Sequence, residues 1–149
     1  MEIKPNNIYL GDCLELMKDI PDKSVDMILC DLPYGTTRCK WDKVIPFEPL
    51  WEQYKRVIKD SGAIVLTASQ PFTSVLVTSN LKMFKYELIW DKIQGSNFAH
   101  ANFQPLKSHE NVLIFSKGAS TYVKNDKNMK YIPQKTEGEK YVSKMGNCG

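Results

Sequence analysis

Cysteine is scarce in this chain, and the four thiols, Cys13, Cys30, Cys39 and Cys148, form no C-x-x-C pair. With only His100 and His109 beside them they complete no zinc pattern, so reduced thiols and no metal are expected. Long apolar runs are missing too: none reaches the roughly 18 residues that a bilayer-spanning helix needs, and no membrane association is expected. Met1-Glu2-Ile3-Lys4-Pro5 has neither the basic stretch nor the apolar run of a signal peptide, which makes a cytoplasmic location the expectation. No segment repeats at a fixed period. What remains is 149 residues, 42% hydrophobic and 25% charged, with a mean hydropathy of -0.37, the profile of one globular domain.

Charge is unevenly divided. Residues 1–81 carry 9 Lys+Arg against 11 Asp+Glu, and residues 82–149 carry 11 against 6. The basic half is a candidate nucleic-acid face, although a solvated lysine-rich surface has the same composition.

The chain is organised around Ser24-Val25-Asp26-Met27-Ile28-Leu29-Cys30-Asp31-Leu32-Pro33-Tyr34-Gly35. Met27 to Cys30 are consecutive apolar residues without alternation, which suits a central strand covered on both faces. Ligands of such sheets sit at the carboxyl ends of the strands, where Asp31 stands. Pro33 and Gly35 then turn the chain away, so the acid is expected in a stiff turn.

Before this stretch, Asn7 to Leu10 is a short strand candidate. It ends at Gly11-Asp12 and leads into an amphipathic helix from Cys13, stopped by Pro21. Asp12 suits an N-cap there. After it, Gly35 to Lys43 is polar, basic and irregular, a mobile loop over the Asp31 tip. Its Trp41, among Arg38, Lys40 and Lys43, fits either phosphate and base contact or a staple to the body. Leu50, Trp51, Tyr54, Val57 and Ile58 form one helical stripe, ended by Ser61-Gly62, and this stripe is core packing. Ala63 to Ala68 is the next buried strand, broken at Ser69-Gln70-Pro71-Phe72, and a short helix follows through Val77. Tyr86 to Lys92 and Glu110 to Ser116 are two more strands, with no helical pattern between them, and should form an antiparallel hairpin with a long loop. From Lys117 onward apolar periodicity is lost, and the tail is not expected to fold by itself.

Asp31-Leu32-Pro33-Tyr34 resembles the Asp-Pro-Pro-Tyr signature of S-adenosylmethionine (SAM)-dependent methyltransferases that act on exocyclic amino groups, chiefly adenine N6 in DNA. Three further segments stand in the order of the permuted class, whose catalytic motif precedes its cofactor motif. Leu10-Gly11-Asp12-Cys13 is similar to that class's first strand-tip acid, Gly62 to Phe72 to the strand and turn after the catalytic helix, and Lys107 to Lys117 to its His-Glu strand. The resemblance runs from about Ile8 to Lys117. It departs in two places: Leu32 replaces the first proline, and no Gly-rich F-x-G-x-G turn occurs in these 149 residues.

The resemblance implies an α/β fold, a Rossmann-like SAM-methyltransferase sheet, mostly parallel with an antiparallel hairpin at one edge, and incomplete. It implies a catalytic half over residues 1–117 and the start of a target-recognition region, partly disordered, over 118–149. Asp31, Leu32, Pro33 and Tyr34 would be catalytic. Asp12, Cys13 and Asp31 would meet SAM, and Tyr34, Arg38, Lys40, Gln70, Phe72, His109 and Glu110 would meet the substrate. His109 and Glu110 also fit a solvated strand edge. The implied partner is double-stranded DNA, with self-association or a complementing chain at the open sheet edge. The chemistry would be methyl transfer to adenine N6, with a non-catalytic DNA-binding remnant as the alternative. A structural protein with an accidental acid-x-Pro-Tyr turn is the third class.

Overall fold

A computed structural model describes residues 3–96, 98–121, 127–134 and 137–138. Three helices, α1 (Cys13–Leu16), α2 (Phe47–Val57) and α3 (Phe72–Ser79), accompany four strands, β1 (Val25–Asp31), β2 (Ile58–Ala68), β3 (Phe84–Ser96) and β4 (Lys107–Phe115). The strands form one sheet in the order β1-β2-β4-β3. β1 runs parallel to β2, while β4 is antiparallel to both β2 and β3. The expected Rossmann-like α/β sheet with an antiparallel hairpin at one edge is present, but it is mixed rather than mostly parallel: among the described strands parallel pairing is confined to β1 and β2.

The core lies on one face of this sheet. The α2 stripe of Leu50, Trp51, Tyr54 and Val57 is buried there, as its helical spacing requires, with Ile64 and Leu66 of β2 and Leu113 and Phe115 of β4. The Trp51 ring lies 4.9 Å from that of Phe115, and its indole N–H donates to Ser79 Oγ at 2.8 Å, which ties α2 to α3. Helix α2 stops at Val57, and the chain enters β2 at once through Ile58, earlier than the expected stop at Ser61-Gly62. Gly62 is needed inside that strand: a Cβ there would stand 2.8 Å from both the Asp26 carbonyl and Ile58 Cγ1.

Two expectations about the first strands are corrected. Asn7 to Leu10 is not a strand: the segment has no ladder partner, and Ile8 and Leu10 are fully exposed. Among the described strands β1 lies at the edge of the sheet rather than inside it, which is the open edge expected of an incomplete sheet. Ile28 and Cys30 pack toward the helices, but Met27 and Leu29, on the other face, are 55% and 67% exposed. The unbroken apolar run therefore reports two faces suited to burial, of which the described residues cover one.

The second face is crossed by the segment around Met129. Lys130 N–H donates to the Ser61 carbonyl and Met129 N–H to that of Ala119, and Met129 and Ile114 are buried. Part of the tail is thus pinned to the sheet; 122–126, 135–136 and 139–149 lie outside the described residues. Among the described residues no helix is long and apolar enough to cross a membrane, and no group of His, Cys, Asp and Glu could hold a metal ion.

A candidate active site at the carboxyl end of the first strand

Asp31 is the last residue of β1 and sits opposite Thr67 of β2 in the ladder. The Thr67 and Tyr34 hydroxyls both donate to its Oδ1, Tyr34 at 2.8 Å, and the two hydroxyl oxygens lie 3.1 Å apart. Oδ2 has no partner among the described residues. One carboxylate oxygen is thus fixed and the other is open, an acceptor held in place before any ligand arrives.

The turn that follows is anchored by Leu32, only 5% exposed and part of the core. At a position where the family signature has proline, an apolar side chain pins the backbone by burial instead. The Tyr34 ring then stacks on Phe72 at the start of α3, centroids 5.0 Å apart and planes at 22°. Burial, with the hydrogen bond to Asp31 and the negative charges of Asp31 and Glu110, pushes the Tyr34 phenol well above its ordinary range, against the Thr67 hydrogen bond, which lowers it. Tyr34 therefore remains a neutral hydroxyl donor. Phe72, taken from sequence as a substrate contact, is buried and supports Tyr34 from beneath.

Beyond Tyr34 the loop is not mobile as expected but clasped. Asp42, buried although its neighbours are exposed, accepts from the Gly35 N–H at 2.8 Å and the Thr37 N–H at 2.6 Å. Gly35 has φ +70, and a Cβ there would also stand 2.9 Å from Val44 Cγ2. The Thr37 side chain, followed by the Gly35 and Thr37 N–H groups, lowers the Asp42 carboxyl below its ordinary value. A lowered folded pKa means that the clasp contributes fully above the unfolded value of about 3.9 and is lost as pH falls through the folded one. At neutral pH, Asp42→Ala is expected to release the loop, and trypsin should cut after Arg38, Lys40 and Lys43 about ten-fold or more faster, since the Gly35 and Thr37 N–H groups lose their charged acceptor. Unchanged cleavage would mean that other contacts hold the loop.

Asp31, Leu32, Pro33, Tyr34, Thr36, Thr37, Trp41 and Asp42 line a cleft of about 160 Å³. Trp41 is 74% exposed at its rim, which rules out the staple and leaves the ring free for a ligand. This cleft is well below the 300–1,000 Å³ usual for a small-molecule site.

The other residues selected from sequence divide into two groups. Asp12 caps α1, accepting from the Leu14 N–H at 2.8 Å, and burial, followed by the charges of Asp12 and Cys30, raises the Cys13 thiol; neither residue lines the cleft at Asp31. Glu110, on the same sheet face as Asp31 and Thr67, pairs with Lys92 at 2.5 Å. His109 projects from the opposite face, exposed, so the two neighbours do not share a pocket. Gln70 accepts from Ser74 Oγ at 2.9 Å just past β2, and Arg38 and Lys40 are exposed on the loop without lining the cleft. Thr67 and Asp42 were not anticipated. Thr67 is the one polar side chain in the run Ala63 to Ala68, a signal that was legible, whereas the Asp42 contacts to two backbone N–H groups leave no pattern in sequence.

The DNA methylase family matches residues 25–147. The type II methyltransferase M.HinfI of Haemophilus influenzae is 28% identical over 96% of this chain, and M.BglII of Bacillus subtilis 31% identical over 75%. The chain spans 47% and 35% of the lengths of those two proteins. Among solved structures, the M1.HpyAVI–SAM complex aligns over 84% of this chain and 60% of its own, with a TM-score of 0.56 at 22% identity. A PvuII DNA methyltransferase described as cytosine-N4-specific aligns over 73% of this chain and 48% of its own, with a TM-score of 0.55 at 15% identity. At such identities the likeness is one of fold, a Rossmann-like methyltransferase sheet.

Proposed function

The chain belongs to the DNA methylase family whose members act on adenine N6 or cytosine N4, and we propose that it supplies the amine-binding half of a SAM-dependent methyl transfer to adenine N6 in double-stranded DNA. The observation that carries this reading is the Asp31 carboxylate, with Oδ1 fixed by two hydroxyls and Oδ2 without a partner among the described residues, in a cleft that Leu32 also lines. An exocyclic amine is a poor nucleophile because its lone pair is delocalised into the ring. Asp31 Oδ2 and the Leu32 carbonyl, both acceptors, bind its two N–H groups and draw the lone pair onto nitrogen. Tyr34 and Trp41 flank the cleft and offer ring faces to a base flipped out of its duplex. An acid at position 31 favours adenine, since cytosine-N4 enzymes of this resemblance commonly carry serine there.

SAM, when bound, supplies a methyl group on an electrophilic sulfonium, so no covalent enzyme intermediate is needed. The donor set suits it: Asp12 and Asp31 are carboxylates, matched to N–H donors and to positive charge, and Cys13 follows Asp12. Residues 1–117 would form the catalytic half of a permuted-order enzyme, and residues from 118 onward the beginning of target recognition.

A second reading, a DNA-binding remnant that needs another chain to hold SAM, is favoured by the open edge of β1 and the small cleft. Incubation with SAM and adenine-rich duplex DNA, followed by mass spectrometry of the digested nucleosides, separates the two. N6-methyl-2′-deoxyadenosine is the expected product, N4-methyl-2′-deoxycytidine would reassign the base, and DNA binding with neither product would favour the remnant.

A further inference from the structure

The most exposed phenyl rings among the described residues do not line the cleft but sit at the end of the β3–β4 arm. The last rung of this arm is Ser96 opposite Lys107, closed by Ser96 Oγ donating to the Lys107 carbonyl at 2.9 Å. Beyond it, Phe98–His100 forms a 3-10 turn, and the N–H groups of Phe103 and Gln104 donate to the His100 carbonyl. The tip is thus hydrogen-bonded, yet it buries no aromatic ring: Phe98 is 82% and Phe103 86% exposed.

The arm is also fixed relative to the Asp31 site. Lys107 Nζ donates to Ser69 Oγ at 2.5 Å, two residues past Thr67, and Glu110 is close enough for its charge to reach Tyr34. Ser96 and Lys107 lie three residues further out, on the order of 10 Å at strand rise, which is comparable to the radius of a duplex. From Lys92 to His109 there is no Asp or Glu, while Lys107 brings a cation. The exposed amides Gln94, Asn102 and Gln104 are interleaved with the rings. Ile93 and Leu106 are exposed near the same tip, so the surface is apolar as well as acid-free. Exposed rings among amides, with no carboxylate to repel phosphate, complement a polyanion with stackable bases.

Resting on the DNA reading above, we propose that Phe98 and Phe103 at the tip of the β3–β4 arm form a stacking wedge that enters the duplex beside the target base and fills the gap when that base moves to Asp31. Apolar wedges of this kind unstack neighbouring bases and lower the cost of taking one out.

The test is anisotropy of a short fluorescein-labelled duplex titrated with the full chain at several salt concentrations. Phe98→Ala/Phe103→Ala should weaken binding about ten-fold or more, because a stacked base contributes roughly 1–3 kcal/mol. The slope of log affinity against log salt should be unchanged, since no phosphate contact is lost. Phe103→Trp should restore part of the affinity, and its added emission should be quenched by DNA. Unaltered affinity in the double variant would overturn the wedge and leave the DNA reading intact. A wild-type chain that binds no duplex would overturn both. A double variant that dissociates a dimer in sedimentation without weakening DNA binding would make the arm a self-contact and overturn the wedge alone.

Discussion

Asp31→Ala is expected to lower methyl incorporation into DNA by about 100 to 1,000-fold, the usual loss when one preorganised polar group is removed from a reacting centre. The effect should fall on the chemical step rather than on the fold. Asp31 is exposed at the end of an edge strand, so its removal costs little packing, and the Thr67 and Tyr34 hydroxyls it releases can find water. Asp31→Asn gives a sharper comparison because it preserves shape. The Asn carbonyl oxygen would be held by the same two hydroxyls, which turns the NH₂ group toward the substrate amine and sets donor against donor. The Asn variant should therefore be as slow as the Ala variant, although its thermal midpoint stays near that of the wild type. Single-turnover incorporation of labelled methyl groups, read beside thermal melts, checks both statements. Asn activity within a few-fold of wild type would show that Asp31 acts through its size alone.

Much of the fold was legible because its local signals agree with its packing. The α2 stripe, the buried β2 run and the hairpin of β3 and β4 each carried a local pattern that matches the face it buries or the strand it pairs with. The site was legible at Asp31, where an apolar run meets an acid and a proline. What stayed hidden depends on contacts between distant residues. Whether Met27 and Leu29 are covered, whether Ile8 and Leu10 pair, and which side chain Phe72 supports are settled by neighbours dozens of positions away. The Asp42 clasp shows the same limit at short range, because the loop from Gly35 to Lys43, without periodicity, looked mobile until its carboxylate was seen to close on two N–H groups.

The open face of the sheet leads to the other large effect. Met27 and Leu29 are more than half exposed on β1, whose outer edge pairs with nothing among the described residues. Exposed apolar strands of this kind are normally paired or covered in soluble proteins. The chain spans roughly half of the relatives it resembles, and its 149 residues hold no Gly-rich turn to cradle the methionine part of SAM. By itself the chain is therefore expected to bind SAM weakly. Adding a polypeptide that carries such a Gly-rich strand and helix should seat it against β1 and strengthen SAM binding by about 100-fold, within the usual range of coupling between sites. The same addition should raise thermal stability, because a partner that binds only the folded form stabilises it by about 2.7 kcal/mol at 100 times its Kd. For a chain of this size that corresponds to roughly 5–10 °C. Met27→Lys/Leu29→Lys should abolish both gains while leaving the isolated chain folded, since neither side chain belongs to the core. Calorimetry with SAM, with and without the added polypeptide, decides the matter: micromolar affinity in the lone chain, or gains that survive the double lysine variant, would place the cofactor's support somewhere other than the open edge of β1.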